Sequence, residues 1–227
     1  MSIKGADIRN IAVIGHSGEG KTSVCEAILF NGKATDRLGK VTEGTTVTDS
    51  DEQEIARKMS ISLGVAYAMW EGVKLNLLDV PGFYDFEGEE NEALRAAGGA
   101  LIVTGATGTL SVGAEKAIDK CLKNKIPMVV FINGVDKENA DYAGTVAALK
   151  QKYAGKIAPI QIPLMEGNKM VGYVNALKET CYHFADEAKK QPVPIPEELK
   201  GTLAEMQASL TETAAENDEA LLDKYFE

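Results

Sequence analysis

The sequence predicts an α/β fold: a three-layer sandwich around a mainly parallel sheet, followed by a smaller α+β unit. Three observations predict it. Short strand candidates at 9–14 (apolar from 11), 100–104 and 127–132 alternate with helix-compatible segments at 21–31, 112–124 and 142–153, the order of a βα-alternating chain with right-handed crossovers. The run Pro-Met-Val-Val-Phe-Ile at 127–132 is continuously apolar, as suits a parallel strand buried on both faces. Past Gly155 the alternation stops, and strands are followed by helices instead. The expected division is 1–156 for the first domain and 157–227 for the second.

Residues 9–14 form the first expected strand. It runs into Gly15-His16-Ser17-Gly18-Glu19-Gly20-Lys21-Thr22, which fits G-x-x-x-x-G-K-[ST], the phosphate loop of P-loop NTPases. The glycines let the backbone curl so that several N–H groups point inward at phosphates. The helix that follows adds the partial positive charge of its N-terminus. Lys21 would reach the β- and γ-phosphates, and the Thr22 hydroxyl would ligate Mg²⁺. That helix is expected at 21–31 and ends near Gly32. Residues 32–54 are rich in Gly, Thr, Asp and Lys with weak periodicity, so a long loop with at most short helical pieces is expected. A polar segment of this kind has little to bury and is expected to be disordered without ligand.

Residues 60–70 and 73–78 read as two strands joined at Glu71-Gly72, a hairpin signal. A helix is expected at 93–97, a strand at 100–104, an amphipathic helix at 112–124, the buried strand at 127–132 and a helix at 142–153. In the second domain, 157–163 and 170–175 read as strands around Glu166-Gly167-Asn168. Residues 192–196 read as an extended linker. Pro196-Glu197-Glu198-Leu199 then opens a long helix through about 215, with proline and acids where a helix start favours them. A last helix is expected at 218–226. This half carries no chemical motif.

Bulk properties exclude several classes. The formal net charge of −10 argues against a broad basic surface for nucleic acid, and no sequence-specific DNA contact is expected. No apolar stretch is long enough to span a bilayer, and residues 1–5 lack the apolar core of a secretory signal. The 3 cysteines lie far apart and the 2 histidines are too few for a histidine metal cluster. Reduced thiols in a cytoplasmic protein are the expectation.

Three further features narrow the ligand. Asp79-Val80-Pro81-Gly82 follows the strand at 73–78. An Asp there can hold Mg²⁺ through water, and the Gly can offer its N–H to a γ-phosphate. Asn133-Gly134-Val135-Asp136 follows the strand at 127–132, at the carboxyl end where such sheets bind ligands. A carboxylate at 136 can accept two hydrogen bonds from guanine, whereas adenine offers no such donor pair. Ser60, in Arg57-Lys58-Met59-Ser60-Ile61, can complete a Mg²⁺ shell and order the long loop. The plain alternatives are a turn before Pro-Gly for Asp79, an Asn/Asp turn for 133–136, and a solvent-facing serine for Ser60.

Together these segments resemble the GTP-binding domain of elongation factor G or of a close paralogue. The resemblance rests on Gly-His-Ser-Gly-Glu-Gly-Lys-Thr-Ser (15–23), Val-Thr-Glu-Gly (41–44), Asp-Glu-Gln-Glu-Ile-Ala-Arg-Lys-Met-Ser-Ile (51–61), Asp-Val-Pro-Gly-Phe-Tyr-Asp-Phe (79–86) and Asn-Gly-Val-Asp-Lys-Glu-Asn-Ala-Asp-Tyr (133–142). It continues through Pro-Ile-Gln-Ile-Pro (159–163), Val-Gly-Tyr-Val-Asn (171–175), Ile-Pro-Glu-Glu-Leu (195–199) and the segment 218–227, which resemble that factor's insertion subdomain. The resemblance implies a translational GTPase binding GTP or GDP with Mg²⁺, whose partner is the ribosome (rRNA and stalk proteins). It implies nucleotide contacts from Ser17, Gly18, Glu19, Gly20, Lys21, Thr22, Ser23, Asp79, Gly82, Asn133 and Asp136. Thr22 and Ser60 would sit on the metal and Gly82 at the γ-phosphate. Residues 32–60 would be a first switch and 79–92 a second.

Four departures stand out. Phe83 occupies the position where the family carries the histidine that orients the attacking water, so hydrolysis is expected to be slow or to depend on a group supplied elsewhere. Gly134 replaces the lysine whose stem covers the base, which should weaken binding. Gly18 stands where Asp is common. The chain also stops before the loop that contacts the guanine O6, and an N-terminal fragment is expected. Two other readings compete: a hydrolysis-deficient, GTP-dependent ribosome-binding or regulatory module, and a generic P-loop ATPase.

Overall fold

Ile8–Ile14 forms β1. The chain continues through α1 (Lys21–Asn31), α2 (Glu52–Arg57), β2 (Gly64–Trp70), β3 (Val73–Asp79), α3 (Glu87–Ala96), β4 (Gly99–Gly105), α4 (Val112–Asn124) and β5 (Met128–Asn133). These strands make one five-stranded sheet of order β2-β3-β1-β4-β5. β3, β1, β4 and β5 run parallel, and β2 joins β3 antiparallel. The computed structural model describes residues 3–167, 169–184, 192–216 and 221. From β1 the chain first extends the sheet on the β3 side and then crosses to β4. The carboxyl end of β1 is therefore a topological switch point, where sheets of this class leave a crevice for ligands.

Alternation along the strands separates two faces. Val13, Leu77 and Val103 pack with Val24, Cys25 and Leu29 of α1 and with Ala66 and Ala68 of β2. The alternate residues Ala12, Ile14, Leu78, Ala100 and Ile102 are also buried and point the other way, where α3 meets β1 and α4 meets β4. Helices on both faces of a mainly parallel sheet make the α/β sandwich that the sequence predicts. The β2–β3 hairpin turns at Glu71 and Gly72, whose φ angles of 48° and 86° suit the twist of a two-residue hairpin loop.

By compactness the chain divides into 1–105 with 110–133, and 106–109 with 134–227. The second unit holds α5 (Tyr142–Lys152), β6 (Gln161–Glu166), β7 (Lys169–Asn175), β8 (Thr180–His183) and α6 (Glu197–Glu216). Its strands form an antiparallel sheet of order β6-β7-β8. Leu164, Val174, Ala176 and Cys181 bury against Leu203 and Met206 of α6. No helix among the described residues is long and apolar enough to cross a membrane.

Several expectations change. β5 is not covered on both faces: it lies at a sheet edge, and Val129 and Phe131 are 53% and 42% exposed. β2 begins at Gly64 rather than 60, because carboxylates claim the preceding amides: Glu54 Oε1 accepts from Ile61 and Ser62, and Glu89 Oε2 from Leu63. α3 begins at Glu87 rather than 93; its opening acids suit a helix N-terminus but hide the apolar period. β6 starts at Gln161 rather than 157, and β8 carries no sequence signal strong enough to separate it. The helix expected at 218–226 lies outside the described residues, apart from Leu221.

Candidate nucleotide site

The loop between β1 and α1 has the shape its glycines require. Gly20 adopts φ 94° and caps α1 with no side-chain hydrogen bond, whereas Asp51, Ser111 and Asp141 cap α2, α4 and α5 through their side chains. The first N–H groups of α1 thus have no side-chain cap competing for them. A Cβ at Gly20 would strike Asn133 Nδ2, and that amide donates to Glu19 O at 2.8 Å. Asn133, at the end of β5, therefore braces the loop. Glu19 braces it from inside, accepting from His16 N at 3.0 Å and Gly105 N at 3.3 Å.

Lys21 is buried and arches back over the loop, donating to His16 O at 3.0 Å. Burial lowers its pKa, opposed by the nearby Asp79 and Glu19 carboxylates. Gly82 approaches so closely that a Cβ there would collide with Lys21 Nζ and lie 2.6 Å from Ser17 N. The β3 end and the phosphate loop thus converge on one small space beside an ammonium group. Ser17 is half-buried, and Gly18 and Ser23 are exposed.

The long loop meets this corner through hydroxyls and carboxylates. Thr22 Oγ1 lies 3.3 Å from Ser60 Oγ. Ser60 donates to Asp49 Oδ1 at 2.7 Å, and Thr48 donates to Asp79 Oδ2 at 2.7 Å. Asp79 and Asp49 are 1% and 4% exposed. Burial pushes Asp79 up to about 6 against the Thr48 and Thr22 hydroxyls, and raises Asp49 against the Ser60 hydrogen bond. Asp79 Oδ1 and Asp49 Oδ2 lack a hydrogen-bond partner among the described residues, although Thr22 and Cys25 face the same Asp79 carboxylate. Two buried carboxylates with spare oxygens, beside two hydroxyls, form a hard oxygen donor set that fits Mg²⁺.

After β3, the chain turns through Phe83, which is 42% exposed and offers no hydrogen-bonding group to a water. The segment is tied to α4: Lys116 Nζ lies 4.1 Å over the Tyr84 ring, and Lys120 pairs with Glu87 at 3.0 Å and Glu90 at 2.8 Å. Gly15, Gly82, Phe83, Gly113 and Lys116 line a groove there.

Of the expected site residues, the structure brings together Ser17, Glu19, Gly20, Lys21, Thr22, Ser60, Asp79, Gly82 and Asn133. Asp136 is exposed, in the turn that opens the second unit. Gly134 has φ 71°, and a Cβ there would lie 3.0 Å from Lys137 Cε. Sequence reasoning missed Thr48 and Asp49, which sit in a stretch without periodicity or motif, and Glu26, whose place in the expected helix at 21–31 gives no sign of its loop partners. The Asp51-x-x-Glu54 capping box was readable as such, but not the second grip of Glu54 on 61–62.

The fold and loop define a P-loop protein of GTPase-like architecture. Residues 6–221 match the family described as Elongation factor Tu GTP binding domain. The chain is 34% identical over 220 residues to an "Elongation factor G-like protein" of Mycobacterium tuberculosis, covering 96% of this chain and 30% of that protein. It is 31% identical over 223 residues to "Elongation factor G" of Mycoplasma pneumoniae, covering 97% and 32%. A crystal structure of a Thermus thermophilus protein superposes with TM-score 0.88 at 35% identity, over 98% of this chain and 33% of that one. The chain belongs to the elongation factor Tu GTP binding domain family. It spans about a third of the length of the relatives it matches.

Proposed function

We propose that this chain is the guanine-nucleotide-binding part of an elongation-factor-G-like translational GTPase that acts on the ribosome in the cytoplasm. Residues 1–156 form the nucleotide-binding core and 157–227 the insertion subdomain. The observation that carries the reading is the convergence of Lys21, Thr22, Ser60, Asp79 and Gly82 from three segments on one buried, oxygen-rich corner. The amides from Ser17 to Ser23 enclose the phosphates, with Gly18, Glu19 and Gly20 setting the curl and Lys21 countering their charge. Thr22 and Ser60 would hold Mg²⁺, with Asp79 behind them. A cation held there would supply positive charge to offset that of the phosphates. Gly82 offers its N–H to the γ-phosphate, and Asn133 and Asp136 select guanine.

Calorimetric titration with GTP, GDP and ATP tests this. Guanine nucleotides should bind in a Mg²⁺-strengthened manner and ATP on the order of a hundredfold more weakly, since Asp136 would be left unpaired against adenine. Equal affinity for ATP would refute the guanine assignment.

A second reading, a GTP-dependent ribosome-binding module without hydrolysis, is favoured by Phe83. Single-turnover hydrolysis by the full-length protein separates the two. Turnover that ribosomes fail to accelerate supports the second.

A further inference from the structure

Glu26 has no part in the function above, yet its charge is among the most deeply buried in the molecule, at 1% exposed. It lies one helical turn beyond Thr22 on α1, so both side chains leave the same face of the helix. Its partners are backbone groups of the long loop: Oε1 accepts from Val47 N at 2.6 Å, and Oε2 from Gly39 N at 3.1 Å. Residues 39–47 therefore close on a single carboxylate. Inside that closure Lys40 N donates to Thr45 Oγ1 at 3.0 Å and Thr45 N to Lys40 O at 3.3 Å. Gly39 permits the approach, because a Cβ there would collide with Glu26 Oε2 and lie 2.7 Å from Thr45 O.

The two residues after Val47 are Thr48 and Asp49, whose side chains bond Asp79 and Ser60. A slip of one residue in the loop would remove both from the corner. We propose that Glu26 is a positioning residue: it clamps the loop to α1 at two amides, and so delivers Thr48 and Asp49 to the Thr22–Ser60–Asp79 corner before any cation arrives. The inference rests on the nucleotide reading above for its consequence, but not for the clamp itself. A carboxylate suits the task because each oxygen can take one N–H in a charge-assisted bond. Glutamine keeps the shape but turns an NH₂ toward one of the two amides.

The test uses Glu26→Gln, which breaks the clamp from α1, and Gly39→Ala, which breaks it from the loop. In the ligand-free chain, amide hydrogen exchange of residues 39–49 should quicken by about tenfold or more in both variants, as expected for losing one charged hydrogen bond. Release of a fluorescent GDP analogue, followed against Mg²⁺ concentration, should need about tenfold more Mg²⁺ for half-maximal retention. Release in excess chelator should stay within about twofold of the parent, since the phosphate loop is untouched. Unchanged exchange in either folded variant overturns the clamp. Faster exchange with the parent's Mg²⁺ dependence overturns the positioning role. A parent that binds no GDP refutes the nucleotide reading, and the exchange measurement still decides the clamp.

Discussion

The two compact units bury different chemistry. The first buries Lys21, Thr22, Glu26, Asp49, Glu54 and Asp79, an arrangement that costs solvation and is tolerated only with compensating partners. Those partners are largely the backbone N–H groups and hydroxyls of the segment 39–62. The second unit is closed by Leu164, Val174, Ala176, Cys181, Leu203 and Met206. Among the described residues, its one buried polar side chain is Thr145, satisfied by Asp141 O at 2.9 Å. The difference lies in what is added to a common plan: both units close on an apolar core, and among the described residues the first alone buries charged side chains as well.

The sharpest way to break this comparison is Lys21→Ala. On the proposed reading, in which the ammonium serves phosphates rather than the core, it should lower GDP affinity by on the order of a thousandfold. The circular dichroism spectrum should be unchanged; full GDP affinity in the folded variant would contradict the loop assignment. Leu203→Ala addresses the other unit. It should cost about 3 kcal/mol of stability by opening a cavity beneath α6, with GDP affinity unmoved. A variant that loses binding instead, by calorimetry, would show that the second unit shapes the site.

Asp79 gives a pH test of intermediate size. Its folded pKa, pushed up to about 6, exceeds the usual carboxylate value of about 4. The associated stability is complete below pH about 4 and is lost as pH rises through about 6, roughly 3 kcal/mol in all. In chelator, Asp79→Asn should therefore raise the unfolding temperature near pH 7.5 and leave it unchanged near pH 4. An equal shift at both pH values would mean that the charge of Asp79 is not what burial penalises. The smallest effect belongs to Lys120→Ala, which removes the tie from α4 to Glu87 and Glu90. Partly exposed pairs of this kind are worth about 1 kcal/mol or less, and chemical denaturation should show no more.

Much of the first unit is legible in the sequence because its signals are local. The phosphate loop, α1 at Lys21–Asn31, α4 at Val112–Asn124 and the Glu71-Gly72 turn follow from spacing and turn chemistry over a few residues. What the sequence conceals is long-range. Composition offers residues 32–54 little to bury, yet Glu26 anchors this loop at amides 13 and 21 residues away. Nothing in a helical Glu announces that its partners are backbone groups. The exposed face of β5 is hidden for a similar reason: an apolar run looks the same at a sheet edge as in its centre. Thr48 and Asp49 acquire meaning only when Asp79 and Ser60 arrive from elsewhere in the chain.

The most direct measurement is a crystal structure grown with excess GDP and Mg²⁺. A diphosphate enclosed by the amides of residues 15–23, a cation on Thr22 Oγ1 and a guanine edge on Asp136 are the predicted result. A vacant phosphate loop under those conditions, or a nucleotide bound elsewhere, would contradict it.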